Sequence, residues 1–200
     1  QRYLLDVTPV LRLSMLQRAL TNRVLSGDAS GQGDLAANQA KLQEAFTKLE
    51  ATDREMGTTL ETGDRVARLR TGAFQLIEQA RGSADQAAIF DAWNDQIGNT
   101  LNFVYLISAT SGMVLDEDYD SLFMIDQSTL RLPRQINVVG QLRGLASGLR
   151  EGQPLSTGTR SSLRVLLKQE LQIRQELLQS ITLLRRNEPA LADRLKAPID

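Results

Sequence analysis

The stretch "LAANQAKLQEAFTKLEATDREM", residues 35–56, decides how the chain folds. Leu35, Leu42, Leu49 and Met56 recur every seven residues, and Phe46 and the following Leu60 supply intermediate positions. Such a repeat keeps one narrow apolar seam on one side of a helix, the pattern of a helix packed along others in a bundle. Gly57 and Gly63 weaken the continuation before Val66, Leu69, Ala73, Leu76 and Ala80 resume it. A break or bend is therefore expected over 57–63, with one bent helix and two shorter ones both compatible.

Outward from this seam the same reading repeats. Towards the N-terminus, Leu13, Leu16, Leu20 and Val24 form a stripe that ends in the turn-rich "SGDASGQGD", residues 26–34. Thr8-Pro9 reads either as a helix start or as a kink in a helix arriving from upstream. Towards the C-terminus, "SADQ", residues 83–86, has the form of a capping box. Phe90, Trp93, Ile97, Leu101 and Val104 then share one face, and Leu122, Ile125, Thr129, Leu132, Ile136 and Val139 another. Gly148, Gly152 and Pro154 interrupt the pattern. A last long stripe holds Leu163, Leu166, Leu167, Leu171, Leu177, Ile181 and Leu184, with Asn187 and Pro189 placed to begin a further short helix.

Aromatic residues are only 4% of the chain, and the prevalence of Leu, Ala, Gln, Glu and Arg favours helix throughout. The expected fold is all-α: an elongated antiparallel bundle of the four-helix type, built of five or six long helices. Residues 1–200 are read as a single domain, arranged as one bundle or as two stacked modules.

Composition narrows function by exclusion. With 23 basic against 24 acidic residues there is no general pull toward nucleic acid. There is neither cysteine nor histidine, so thiolate or imidazole metal sites, cysteine nucleophiles and the ordinary catalytic triad are all ruled out. No motif joins a nucleophile to a base, and neither an enzyme nor a cofactor is expected. No apolar run reaches the length of a membrane span. The chain begins at "QRYLLDV" without a Met, and we read it as a piece of a longer protein.

The acidic run "VLDEDYDSLFMID", residues 114–126, invites a calcium reading. Asp116, Asp118 and Asp120 match the first ligand positions of a calcium loop, but Ser121 replaces the turn glycine and Gln127 the bidentate glutamate. No metal site is expected; Asp118 or Asp120 instead suits the first turn of a helix. Asp126 lies beside the apolar stripe, as a half-exposed boundary residue or a buried group needing a partner. Pro133 falls inside the helical pattern and deprives the carbonyl of Thr129 of its usual donor, so a kink is expected.

Two arginines stand out. Arg143 continues the Leu132, Ile136, Val139 stripe at a position patterned for the core, and Arg18 shares a partly apolar face with Leu11, Met15, Asn22 and Leu25. A buried guanidinium requires an accepting partner, which is either a structural carboxylate or a bound anion.

The segment "TSGMVLDEDYDSLFMIDQSTLRLPRQINVVGQLRGLASGL", residues 110–149, resembles one found in the extracytoplasmic helical sensor regions of bacterial methyl-accepting chemotaxis proteins and related sensor kinases. There the run typically reads "LDPDxDSYYLMD", followed by "RLP" and a glycine-rich "RGL" helix. Leu115, Asp116, Asp118, Asp120, Ser121, Met124, Asp126, Leu132 and Pro133 match; Glu117 replaces the proline, and Leu122-Phe123 the paired tyrosines. "QRALTNRVLSGD" is also similar to the "HRGLS" run of nitrate- and nitrite-sensing helical domains, with Gln17 and Ala19 where His and Gly are usual. The matches cover about a quarter of the chain.

The resemblance implies a periplasmic sensor domain of an inner-membrane receptor, anchored by segments outside this chain, generally dimeric, and continuing beyond Asp200. The expected ligand is a small molecule, by preference an anion, bound between helices. Arg18 and Arg143 are the candidate charge contacts, with Asp126 or Asn102 as polar partners. The competing reading is a dimerisation or protein-interaction bundle without a small-molecule ligand, for which the seam of residues 35–56 is the chief support.

Overall fold

The computed structural model describes residues 1–83, 85–113, 118–147 and 155–196. Among them every regular element is helical. In chain order these are α1 (Arg2–Leu25), a short 3₁₀ turn (Ala29–Gly31), α2 (Gln32–Met56), α3 (Arg65–Gly82), α4 (Gln86–Thr110) and α5 (Tyr119–Asp126). A π-helical segment (Gln127–Arg131) leads into α6 (Leu132–Ser147), followed by α7 (Thr157–Asn187) and α8 (Pro189–Lys196).

The seven-residue seam forms as its spacing dictates. Leu42, Phe46 and Leu49 are wholly buried on α2, and the end positions Leu35 and Met56 are half-buried. They meet Val7, Val10 and Leu11 of α1, Val66, Leu69, Ala73 and Ile77 of α3, and Trp93, Ile97, Val104 and Ile107 of α4 in one core. α1 touches α2, α4, α3 and α6, so residues around most of its circumference are covered, including Asp6, Gln17 and Arg18. Pro9 lies inside α1, seven residues after its first residue, so Thr8-Pro9 is not a helix start.

The 57–63 region is a true break, because α2 stops at Met56 and α3 begins at Arg65. A Cβ at Gly57 would sit 2.5 Å from the Asp53 carbonyl oxygen and 2.6 Å from Thr62 Oγ1, which leaves room only for glycine. The turn is tied to α1 through Asp53, which accepts from the Tyr3 hydroxyl at 2.5 Å and from Thr62 at 2.6 Å. Four residues before the seam's last turn, Thr52 donates to buried Asp6 at 2.7 Å, and Lys48 approaches the same carboxylate at 2.9 Å.

A second, smaller core joins Phe123 of α5, Leu184 of α7 and Ala192 of α8, with Ile181, Leu191 and Leu195 against it. α7, at 31 residues, is about 46 Å long from the helical rise, and it packs mainly on α6. Pro189 opens α8 as expected, whereas Asn187 is the last residue of α7.

Two local expectations are corrected, and the chain around Pro133 takes a specific form. Asp85, rather than Ser83, caps α4 by accepting from the amide of Ala88 at 2.9 Å; Gln86 turns its side chain to Asn22 and Ser26 of α1 instead of closing a box. Pro133 produces a π turn just ahead of it: the amide of Leu132 donates to the carbonyl of Gln127, five residues back, which absorbs the mismatch left by the missing proline N–H. The α6 stripe points elsewhere than the core. Leu132, Ile136 and Val139 are largely exposed, and Asn137 and Val138 are buried in their place. The reason is steric: Gly140 and Gly144 let α6 approach α1 and α4 through its small-residue side, which turns the branched side chains outward. Of the acidic run, Asp118 stands at the N-cap of α5 and Asp120 in its first turn, while Leu115, Asp116 and Glu117 lie outside the described residues, as do Gly148, Gly152 and Pro154.

Candidate functional site at the junction of α1, α4 and α6

Arg18 sits at the middle of this junction, only 2% exposed. α1 presents it, α4 contributes Phe90 and Asn94 one turn apart, and α6 contributes Asn137 and Gly140. Nη1 donates to Asn94 Oδ1 and to Asn137 Oδ1, both at 2.7 Å, and Nη2 reaches the Asn137 carbonyl at 3.5 Å. The guanidinium carbon lies 5.5 Å from the centroid of the Phe90 ring, a cation–π contact. Nε is buried without a partner.

Every oxygen partner of Arg18 is neutral. Among the described residues no carboxylate forms an ion pair with it, in contrast to Arg131, which engages both Asp126 and Glu176. Removing a guanidinium from water costs several kcal/mol. Two charge-assisted hydrogen bonds at about 1.5–3 kcal/mol each and the Phe90 contact offset a cost of that size, but they leave Nε unpaired and bring no opposite charge to the guanidinium. Burial, with the repulsion of Arg143 added, lowers the Arg18 pKa from its ordinary value to about 10. Arg18 therefore remains a cation at neutral pH, and its cost is present throughout that range.

Beside Arg18 opens a cavity of about 380 Å³ lined by Met15 and Leu16 of α1 and by Gln135, Ile136, Val139, Gly140 and Arg143 of α6. A Cβ at Gly140 would stand 2.5 Å from Arg18 Nη2, so the absence of a side chain there is what lets the guanidinium reach this position. Arg143 is exposed, which corrects its placement in the core; it lines the mouth of the cavity that Arg18 closes from within. Two cations thus share one cavity whose described lining contains no acid.

The other two sequence candidates lie elsewhere. Asp126 is half-buried at the end of α5 and is paired with Arg131. Asn102 lines a separate cavity of about 480 Å³ between α3 and α4, with Arg65, Arg68, Gln96, Asn99 and Tyr105. The cations there are exposed to solvent, which screens them; Arg68 also pairs with Asp64 at 2.5 Å, and Arg65 donates to the Glu61 carbonyl at 3.2 Å. That larger cavity is therefore the poorer anion site. Sequence reasoning missed Asn94, Asn137 and Phe90. Their only signal was spacing, Phe90 with Asn94 and Asn137 with Gly140 and Gly144, each set on one helical face.

Among the described residues no cluster of acids is arranged to hold a metal ion, and no helix is long and apolar enough to cross a membrane. No family model, curated protein or solved structure matches the chain.

Proposed function

We propose that this chain is the ligand-sensing domain of a membrane-anchored bacterial signalling receptor, periplasmic and chemoreceptor-like, and that it binds a small anion at Arg18 and Arg143. One observation carries the binding part: a buried guanidinium that has no carboxylate partner among the described residues and stands with a second arginine in one cavity. The receptor part rests on the resemblance of residues 110–149 and on the all-helical architecture. In this reading α1–α4 form an antiparallel four-helix bundle, with α6 and α7 stacked beside it.

The cavity lies between α1 and α6, so an anion bridging Arg18 and Arg143 would favour the arrangement in which these helices are closest. A ligand shifts such an equilibrium only by its difference in affinity for the two arrangements. The signal would leave along the helices that continue toward the membrane.

A thermal-shift screen against nitrate, nitrite, carboxylates and amino acids at fixed ionic strength tests the proposal, because a ligand confined to the folded state raises Tm. We expect a saturable rise with an anion, lost in both Arg18→Ala and Arg143→Ala. Anions that leave Tm unmoved would reject it.

A second reading, a dimerisation bundle without a ligand, is favoured by one observation. Leu167, Leu171 and Leu178 fall on one face of α7 and are about half exposed, a short apolar row of the kind that pairs with another chain. Concentration-dependent association indifferent to every anion would favour it.

A further inference from the structure

The lining of the Arg18 cavity says more than that an anion fits. Its walls are the side chains of Met15, Leu16, Ile136 and Val139, and its polar groups are the two guanidiniums and the Gln135 amide. Leu16 is 42% exposed, Val139 48% and Ile136 61%, so each has apolar surface left to cover. A bare inorganic anion is only slightly larger than a water molecule, whose share of liquid volume is about 30 Å³. It would occupy a small part of the roughly 380 Å³ and leave these walls wet.

Resting on the anion reading above, we infer that the ligand is a monocarboxylate with a short apolar body. Its carboxylate meets the inner Arg18 and the outer Arg143, and its hydrocarbon lies along Leu16, Ile136 and Val139. The lining also says what is rejected. An amino acid would bring its ammonium against two cations, with no acid in the described lining to receive it. A sugar acid would bury hydroxyls where only Gln135 offers an uncharged side-chain partner, and unpaired buried hydroxyls are costly.

The test is titration calorimetry of the 200-residue chain with acetate, butanoate, hexanoate, hexanamide, succinate and nitrate at fixed ionic strength. Each methylene buried tightens binding by up to about fourfold. Affinity should therefore climb by about two- to fourfold per carbon from acetate to hexanoate, and hexanamide should bind at least about tenfold more weakly than hexanoate. Ile136→Gln, at an exposed position where folding is safe, should flatten the chain-length dependence.

Equal affinity across the carboxylates, succinate stronger than butanoate, or hexanamide equal to hexanoate would each overturn the ligand class. The anion reading would survive those results if nitrate or acetate bound the wild type and failed to bind Arg143→Ala. Binding of none of the probes would overturn both.

Discussion

At the scale of single residues, the sequence distinguished Arg18 by the apolar company it keeps on α1, and the fold buries it. What the sequence left open was its partner. The partners are Asn94 and Asn137, 76 and 119 residues away, and no local pattern connects them. Arg143 was misread for a physical reason: a stripe at three- and four-residue spacing identifies an apolar face but not whether a neighbour covers it. Gly140 supplies a sharp test. Gly140→Ala forces the guanidinium to shift, and overpacking of this kind costs about 1–3 kcal/mol. Thermal unfolding should show that loss, together with a weakened response to anions.

Asp6 makes the pH prediction. Burial pushes its carboxyl up, but the Thr52 hydroxyl and the Lys48 ammonium, with Arg2 farther off, outweigh burial and leave it below the ordinary carboxylate range. A carboxylate whose pKa is lowered by folding stabilises the protein above its unfolded value, near 3.9, and that stability is lost as pH falls through the folded value. Asp6→Asn should cost about 1–2 kcal/mol at pH 7 and reduce the wild type's loss of Tm between about pH 5 and pH 2.

At the scale of elements, helices with a covered seam were legible and those with an open side were not. The α2 heptad and the Phe90, Trp93, Ile97, Val104 face of α4 are buried as their spacing requires. α6 obeys a different rule, since close approach through Gly140 and Gly144 outranks its branched stripe, and glycine carries no hydropathy signal to announce it. Gly144 is the clearest case: a Cβ there would run into the ring of Phe90, which is itself buried and cannot swing aside freely. Gly144→Ala should loosen α6 from α1 and α4, visible as faster hydrogen exchange over Leu132–Ser147 with α2 and α3 unaffected. The turn between α2 and α3 holds a removable strain. Glu61 takes φ 54°, a left-handed conformation that costs a side-chain-bearing residue about 1–2 kcal/mol. Glu61→Gly should raise stability by about 0.5–1 kcal/mol after the added flexibility of the unfolded chain, measured by denaturant titration.

At the scale of the whole molecule, the all-α class followed from composition and periodicity, because few residues favour strands and the helical stripes run from end to end. The organisation of the core did not follow. The periodicities of α1–α4 and of α5–α8 look alike, yet the former enclose one large core and the latter a small one of Phe123, Leu184 and Ala192. The difference lies in the neighbours each face meets, which a single sequence does not carry. The buried Arg18 stands where α1 and α4 of the large core meet α6, so ligand occupancy there bears on how these helices hold together. The most direct measurement of the central claim is nuclear magnetic resonance of the Arg18 side-chain N–H groups, assigned by their loss in Arg18→Lys, during titration with acetate and hexanoate at fixed ionic strength. A saturable shift of those resonances, abolished in Arg143→Ala, is the result predicted. Resonances that stay in place at every carboxylate concentration would contradict the account and leave Arg18 as a structural cation held by two asparagines and a phenylalanine.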